Sequence, residues 1–162
     1  MRMEETECRL IVGIGNPGTE YAATRRSADV NLSGDAVLPL MKSENLVPAE
    51  ILIVYDDIDL TVGRLRIRKN GGSAGHNGMK SVIEALKSEA FPRLRVGIGD
   101  EHSKRRADYV LTSFEGAEKE CYEKALDKAV EAVELLLRRG ITTAMNQYNS
   151  TDCSQSAEEK TN

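Results

Sequence analysis

A chain of 162 residues that is 40% hydrophobic and 30% charged is one domain's worth of sequence, with enough apolar material for a packed core; that excludes an intrinsically disordered protein. No run reaches the roughly 18 apolar residues of a membrane span, and the polar, acidic stretch from Met1 to Glu7 is not expected to act as a secretory signal. The net charge of −4 argues against a general nucleic-acid binder, and three scattered cysteines (Cys8, Cys121, Cys153) fit a reducing cytoplasm rather than a disulfide framework.

The first predicted element is a buried strand from Arg9 to Gly13, closed by a turn at Asn16, Pro17 and Gly18. Gly34 to Asn45 has helical spacing, with Val37, Leu38, Leu40 and Met41 on one side, and Pro39 is expected in its first turn. Glu50 to Tyr55 is a second buried strand, ending at Asp56, Asp57, Ile58 and Asp59. Arg64 to Arg68 alternates strictly, which predicts a half-buried strand with arginines on its wet face. A glycine-rich loop from Asn70 to Gly75 leads into a helix over 78–88, for which Asn77 is the expected cap and Met79, Val82, Ile83 and Leu86 the buried face. Arg93 to Gly97 is another alternating strand. The longest helix is predicted over 115–139, with Thr112 and Glu115 as a capping box, Tyr122, Leu126, Ala129, Val133 and Leu136 inward, and Gly140 as the stop. Alternating helices and strands of this kind give an α/β three-layer sandwich around a mixed β-sheet. The boundaries expected are an N-terminal extension over 1–8, one domain over 9–149 and a disordered polar tail over 150–162.

Charge is distributed unevenly. Residues 1–63 carry 5 basic and 11 acidic side chains, residues 64–106 carry 11 and 4, and residues 107–162 carry 6 and 11. A basic middle between acidic flanks suits a focused phosphate-binding surface, and it equally suits a soluble, arginine-rich face. The same alternatives hold for Arg64, Arg66, Arg68, Arg93 and Arg95: bidentate grips on phosphate, or charges that protect a sheet edge from aggregation.

Three local motifs were weighed for chemistry. Gly13, Gly15 and Gly18 match the dinucleotide fingerprint G-x-G-x-x-G, but Pro17 forces Asn16 into extended geometry where a helix should open, and no acidic strand end follows about 20 residues on. Asp57, Asp59, Thr61 and Gly63 begin like a calcium loop, but Arg68 stands where the closing bidentate glutamate belongs. With only His76 and His102 in the chain, no cysteine–histidine set has zinc-ligand spacing. The stretch Gly71 to Gly78 is the densest in information: glycines let a backbone approach a ligand, while His76 and Asn77 either face that ligand or merely pack and cap.

Together these stretches resemble bacterial peptidyl-tRNA hydrolase. The matching pieces, in family order, are Leu10 to Gly18 with Tyr21, Thr24 and Arg25, then Asn31 to Gly34, Asp56 to Leu60, Gly72 to Lys80, and Pro92 to Gly99. The resemblance implies an α/β fold around a mixed sheet, a cytoplasmic monomer, and cleavage of the ester between a peptide and tRNA without metal or cofactor. By the same resemblance Asn16 senses the acylated amine, Asp56 stabilises the catalytic base, and Tyr21, Asn31 and Asn77 bind substrate. His76 is a cleft residue supporting Asn16 and Asn31, and Arg68 and Arg95 clamp the tRNA 5′ phosphate. Two departures accompany it. The family's general-base histidine is replaced by Arg26, which stays protonated and cannot accept a proton. Only Ser27 to Val30 separate that position from Asn31, where the family has several dozen residues, so a helix and sheet strands are expected to be missing through an internal deletion after Arg26. A non-catalytic tRNA- or RNA-binding relative of the family is the alternative reading.

Overall fold

The computed structural model describes residues 7–15, 33–100 and 113–154. Four strands form one sheet: β1 (Leu10–Gly13), β2 (Ile51–Thr61), β3 (Leu65–Arg68) and β4 (Arg93–Gly99), in the order β1-β2-β4-β3. β1, β2 and β4 run parallel, and β3 pairs antiparallel with β4, so the sheet is mixed as expected. Helices α1 (Ser33–Ser43) and α2 (Asn77–Leu86) cover one face, and α3 (Gly116–Arg139) and α4 (Ile141–Tyr148) the other. Alternation along β2 divides the core: Ile51, Ile53 and Tyr55 face Val37, Met41, Met79, Val82 and Phe91, while Leu52 faces Leu94, Ala125, Ala132 and Leu136. Among the described residues β1 is an edge strand, and its Ile11 is 43% exposed.

Several expectations are corrected. β2 does not end at the aspartates; it runs through Asp56, Asp57 and Asp59 to Thr61, and the turn falls at Val62 and Gly63. The register with β4 shifts between Asp57 and Thr61, and this irregular half of the strand is what accommodates three acids. Pro39 lies in the interior of α1 rather than its first turn. The helix tolerates it because tertiary packing holds it: Val37 is buried, and the Gly34 N–H donates to Ser81 Oγ at 2.9 Å where α1 meets α2. In α3 the cap is Glu115, which makes no side-chain capping bond, and Thr112 lies outside the described residues. The buried stripe of α3 is Ala125, Ala129, Ala132 and Leu136; Leu126 is 40% exposed. The small alanines at 125, 129 and 132 let the helix sit close to the sheet along that stretch. α4 begins directly after Gly140 and was not foreseen, because a single residue separates it from α3.

Residues 150–154 are not a free tail. Arg64 pairs with Asp152 at 2.9 Å, and the Cys153 N–H donates to the Gly63 carbonyl at 3.0 Å, fastening the segment to the turn between β2 and β3. The Ser154 hydroxyl first, and then its backbone N–H and the Arg64 guanidinium, hold the Asp152 carboxyl below its ordinary value of 3.8 against the opposing effect of burial. A carboxyl with a depressed folded-state pKa stabilises the fold fully above its ordinary value and loses that contribution as pH falls through the lower one. Asp152→Asn is therefore expected to lower the stability measured by urea unfolding by about 0.5–1 kcal/mol at pH 7. The gap from wild type should close as pH falls below the ordinary carboxyl range and through the lowered folded-state value. A gap that is constant with pH would contradict this account.

Candidate functional site

The middle of β2, just past its last pairing with β1, the glycine-rich loop and the start of α2 meet at one place. Tyr55, Asp57, Ile58, Ser73, Ala74, Gly75 and His76 line a pocket of about 80 Å³ there. The loop reaches it through left-handed backbone at Ala74 (φ 47°) and Gly75 (φ 81°), and the helix opens immediately afterwards.

His76, not Asn77, caps α2. Its Nδ1 accepts the Met79 N–H at 3.2 Å, and its ring packs edge-on against Tyr55 with centroids 4.9 Å apart. This corrects the capping role expected of Asn77, and it leaves Asn77 exposed at the first turn with its side chain available to a ligand. Because Nδ1 accepts, the neutral ring carries its proton on Nε2. That atom is buried without a hydrogen-bond partner, and Asp56 Oδ1 lies 3.5 Å away, close enough for an ion contact but without hydrogen-bond alignment. Asp56 also acts on Tyr122 of α3: burial raises the Tyr122 pKa, and the negative charge of Asp56 raises it further. Asp56 therefore stands between the two helical layers, near His76 of one and Tyr122 of the other.

The arginines do not behave alike. The β3–β4 register puts Arg66 opposite Arg95 and Arg68 opposite Arg93. Arg95 forms an ion pair with Asp57, which is buried, and Asp57 also accepts the Asp59 N–H at 2.8 Å. Arg93 is only 2% exposed, against the half-wet position that strict alternation predicts. Burial pulls its pKa below the ordinary arginine value, opposed by the neighbouring Tyr55 and Glu89. Arg68 is exposed and Arg66 half-buried, and neither has a carboxylate within 4 Å among the described residues. Of the residues singled out from sequence, the structure brings Asp56 and His76 together, sets Asn77 beside them, and joins Arg95 to the pocket through Asp57. Arg68 stands at the far end of β3. Asn16, Tyr21, Arg26 and Asn31 lie outside the described residues.

Tyr55 is not among the site residues read from sequence, where Arg93 is read as a phosphate grip or an edge charge. Asp57 is read there as the start of a calcium loop, and among the described residues no group of three or more His, Cys, Asp or Glu side chains is placed to hold a metal. The available signal was its position in the strand: Asp57 follows Tyr55 by two, so alternation puts both on the face where Arg95 lies across the ladder. No helix among the described residues is long and apolar enough to cross a membrane.

Comparison with known proteins agrees with this geometry. The family model described as peptidyl-tRNA hydrolase matches residues 29–158. A peptidyl-tRNA hydrolase of Synechococcus sp. (strain JA-3-3Ab) is 40% identical over 195 residues, covering 93% of this chain and 87% of the relative. One from Chloroflexus aurantiacus is 40% identical over 184 residues, covering 86% of this chain and 98% of the relative. The crystal structure of the Acinetobacter baumannii peptidyl-tRNA hydrolase superposes with a TM-score of 0.82 at 29% identity, covering 91% of this chain and 97% of the other. The motifs, the mixed-sheet sandwich and these matches converge, and the chain belongs to the peptidyl-tRNA hydrolase family.

Proposed function

We propose that this chain acts in the cytoplasm on peptidyl-tRNA, cleaving the ester that joins the peptide to the tRNA, and that it does so without the usual general base. The observation that carries the reading is the pair of buried His76 and Asp56 beside a pocket whose Asp57 leads, through Arg95, onto a sheet face with the guanidinium groups of Arg66 and Arg68, which have no carboxylate within 4 Å among the described residues. Such a face suits the phosphates of a tRNA end, and the pocket suits the acyl junction. In this reading Arg68 and Arg95 hold the 5′ phosphate, Arg95 doing so from its ion pair with Asp57, Asn77 meets the substrate from the start of α2, and Tyr21 and Asn31 complete the binding site. Asn16 recognises the acylated amine. The protein works as a monomer.

Hydrolysis requires water to lose a proton as it attacks the ester carbonyl. Asp56 is placed to orient a base, and His76, with Nδ1 committed to the helix cap, is placed to orient its neighbours rather than to accept that proton. Arg26 cannot accept it either. The reading of a missing segment after Arg26 is supported by two facts. The alignment with the Synechococcus relative extends over 195 residues, more than the 162 this chain has, and the family model's match begins at residue 29.

Binding of an uncleavable peptidyl-tRNA analogue tests the recognition half. Arg68→Ala is expected to weaken binding and to reduce the log–log salt slope by close to one unit, roughly 0.7–0.9 per phosphate contact. Arg68 is a cleaner target than Arg95, whose removal would leave the buried Asp57 carboxylate without its cation. An unchanged affinity and slope for Arg68→Ala combined with Arg66→Ala would exclude this face as the tRNA surface.

A further inference from the structure

A guanidinium buried to 2% exposure without a carboxylate within 4 Å among the described residues is costly to desolvate, so what it touches is informative. Arg93 spends its donors on backbone carbonyls. Nη1 donates to the Gly72 carbonyl at 3.1 Å, Nη2 to the Glu89 carbonyl at 3.0 Å, and Nε to the Phe91 carbonyl at 3.4 Å. Its Cζ lies 4.3 Å from the centre of the Phe91 ring. The Glu89 carbonyl also accepts the Gly71 N–H at 3.2 Å. One side chain on a central strand therefore ties the glycine loop to the turn that precedes β4.

The loop needs such a tie. It bends through Gly71 (φ 145°), Ala74 (φ 47°) and Gly75 (φ 81°), conformations that a free glycine-rich segment leaves readily. Within it the only described backbone bonds are Gly71 N–H to Glu89 and His76 N–H to the Ser73 carbonyl at 2.9 Å. Yet it delivers His76 to the Asp56 carboxylate and sets Asn77, the next residue, exposed at the start of α2. A lysine offers three donors from a single point and cannot reach three divergent carbonyls, whereas the planar fork of arginine does.

We propose that Arg93 is a positioning residue of the substrate site, holding the glycine loop in the shape that presents His76 and Asn77. This deepens the tRNA reading above and rests on it. The test is amide hydrogen exchange of wild type, Arg93→Lys and Arg93→Met, with affinity for an uncleavable peptidyl-tRNA analogue measured on the same samples. The expected result is exchange at Gly71 and His76 at least about tenfold faster in both variants while Ile51 to Tyr55 keep their protection, with analogue affinity falling about tenfold and the lysine variant lying between. Loop exchange at the wild-type rate in folded variants, or a loosened loop with unchanged affinity, would overturn the proposal. Should neither variant fold, wild-type protein decides: Gly71 and His76 exchanging as fast as an unstructured peptide would overturn it, and protection comparable to the sheet would support it. Should wild type itself bind no analogue, the tRNA reading fails, and the exchange measurement still decides whether Arg93 holds the loop.

Discussion

Peptidyl-tRNA incubated with this chain is expected to release its peptide about 10²–10⁴-fold more slowly than with the Synechococcus relative under the same single-turnover conditions, the factor that general-base assistance ordinarily supplies. One position and its surroundings decide the rate. A base that takes a proton from water needs a pKa near the working pH, and the guanidinium of Arg26 remains charged at any pH the protein survives. Asp56 is in place, but it faces His76 Nε2, which carries the ring's proton. What remains for catalysis is binding and orientation at the pocket, which lowers a barrier without moving a proton. Release at the relative's full rate would show that another group takes the proton. Tight binding with no release above background would favour a binding protein over an enzyme.

The largest effect on stability is expected from Gly97→Ala. Gly97 sits in β4 where the irregular half of β2 crosses closest, and a Cβ there would lie 2.0 Å from the Thr61 carbonyl oxygen and 2.8 Å from that of Leu60. These are backbone atoms and cannot rotate away. Gly99 has the same problem with the Ile58 carbonyl, so the clash has no easy relief along the strand. The loss is expected to be about 3–5 kcal/mol, at or beyond the upper end of core overpacking. Urea unfolding of Gly97→Ala beside wild type measures it; a change below about 1 kcal/mol would mean that β2 and β4 separate more readily than the structure indicates.

Much of this architecture is legible from residue order. The alternation of Leu65 with Ile67 and of Leu94 with Val96 predicts strands, and both strands are present with those residues facing α3 and α4. The motif order and the Gly72 to Lys80 stretch point to the family that the comparisons show. Other features depend on tertiary context. The aspartates after Tyr55 look like a strand end because acids rarely continue a buried strand; here Asp57 continues it by pairing with Arg95. Asn77 is the better cap by residue type, but the loop geometry brings His76 Nδ1 to the Met79 amide first. Arg93 occupies a position that alternation assigns to solvent, and its burial is made possible by the Gly72 carbonyl, some twenty residues away, together with those of Glu89 and Phe91 just before it. Asn16, Tyr21, Arg26 and Asn31 remain known from sequence alone, since they lie outside the described residues.

The sheet order has a consequence for how this chain folds. Three of its four strands and α2 come from the continuous stretch 51–99, and the central β2–β4 pairing closes entirely within it. Among the described residues β1 joins from one side only, through β2. A nucleus built from residues 51–99 can therefore form before β1 docks, and the chain separation of β1 from β2 adds to the entropy that docking must overcome. Insertion or loss of residues between β1 and α1 should accordingly change how fast and how firmly β1 docks, while the folding rate of the rest of the sheet stays nearly constant.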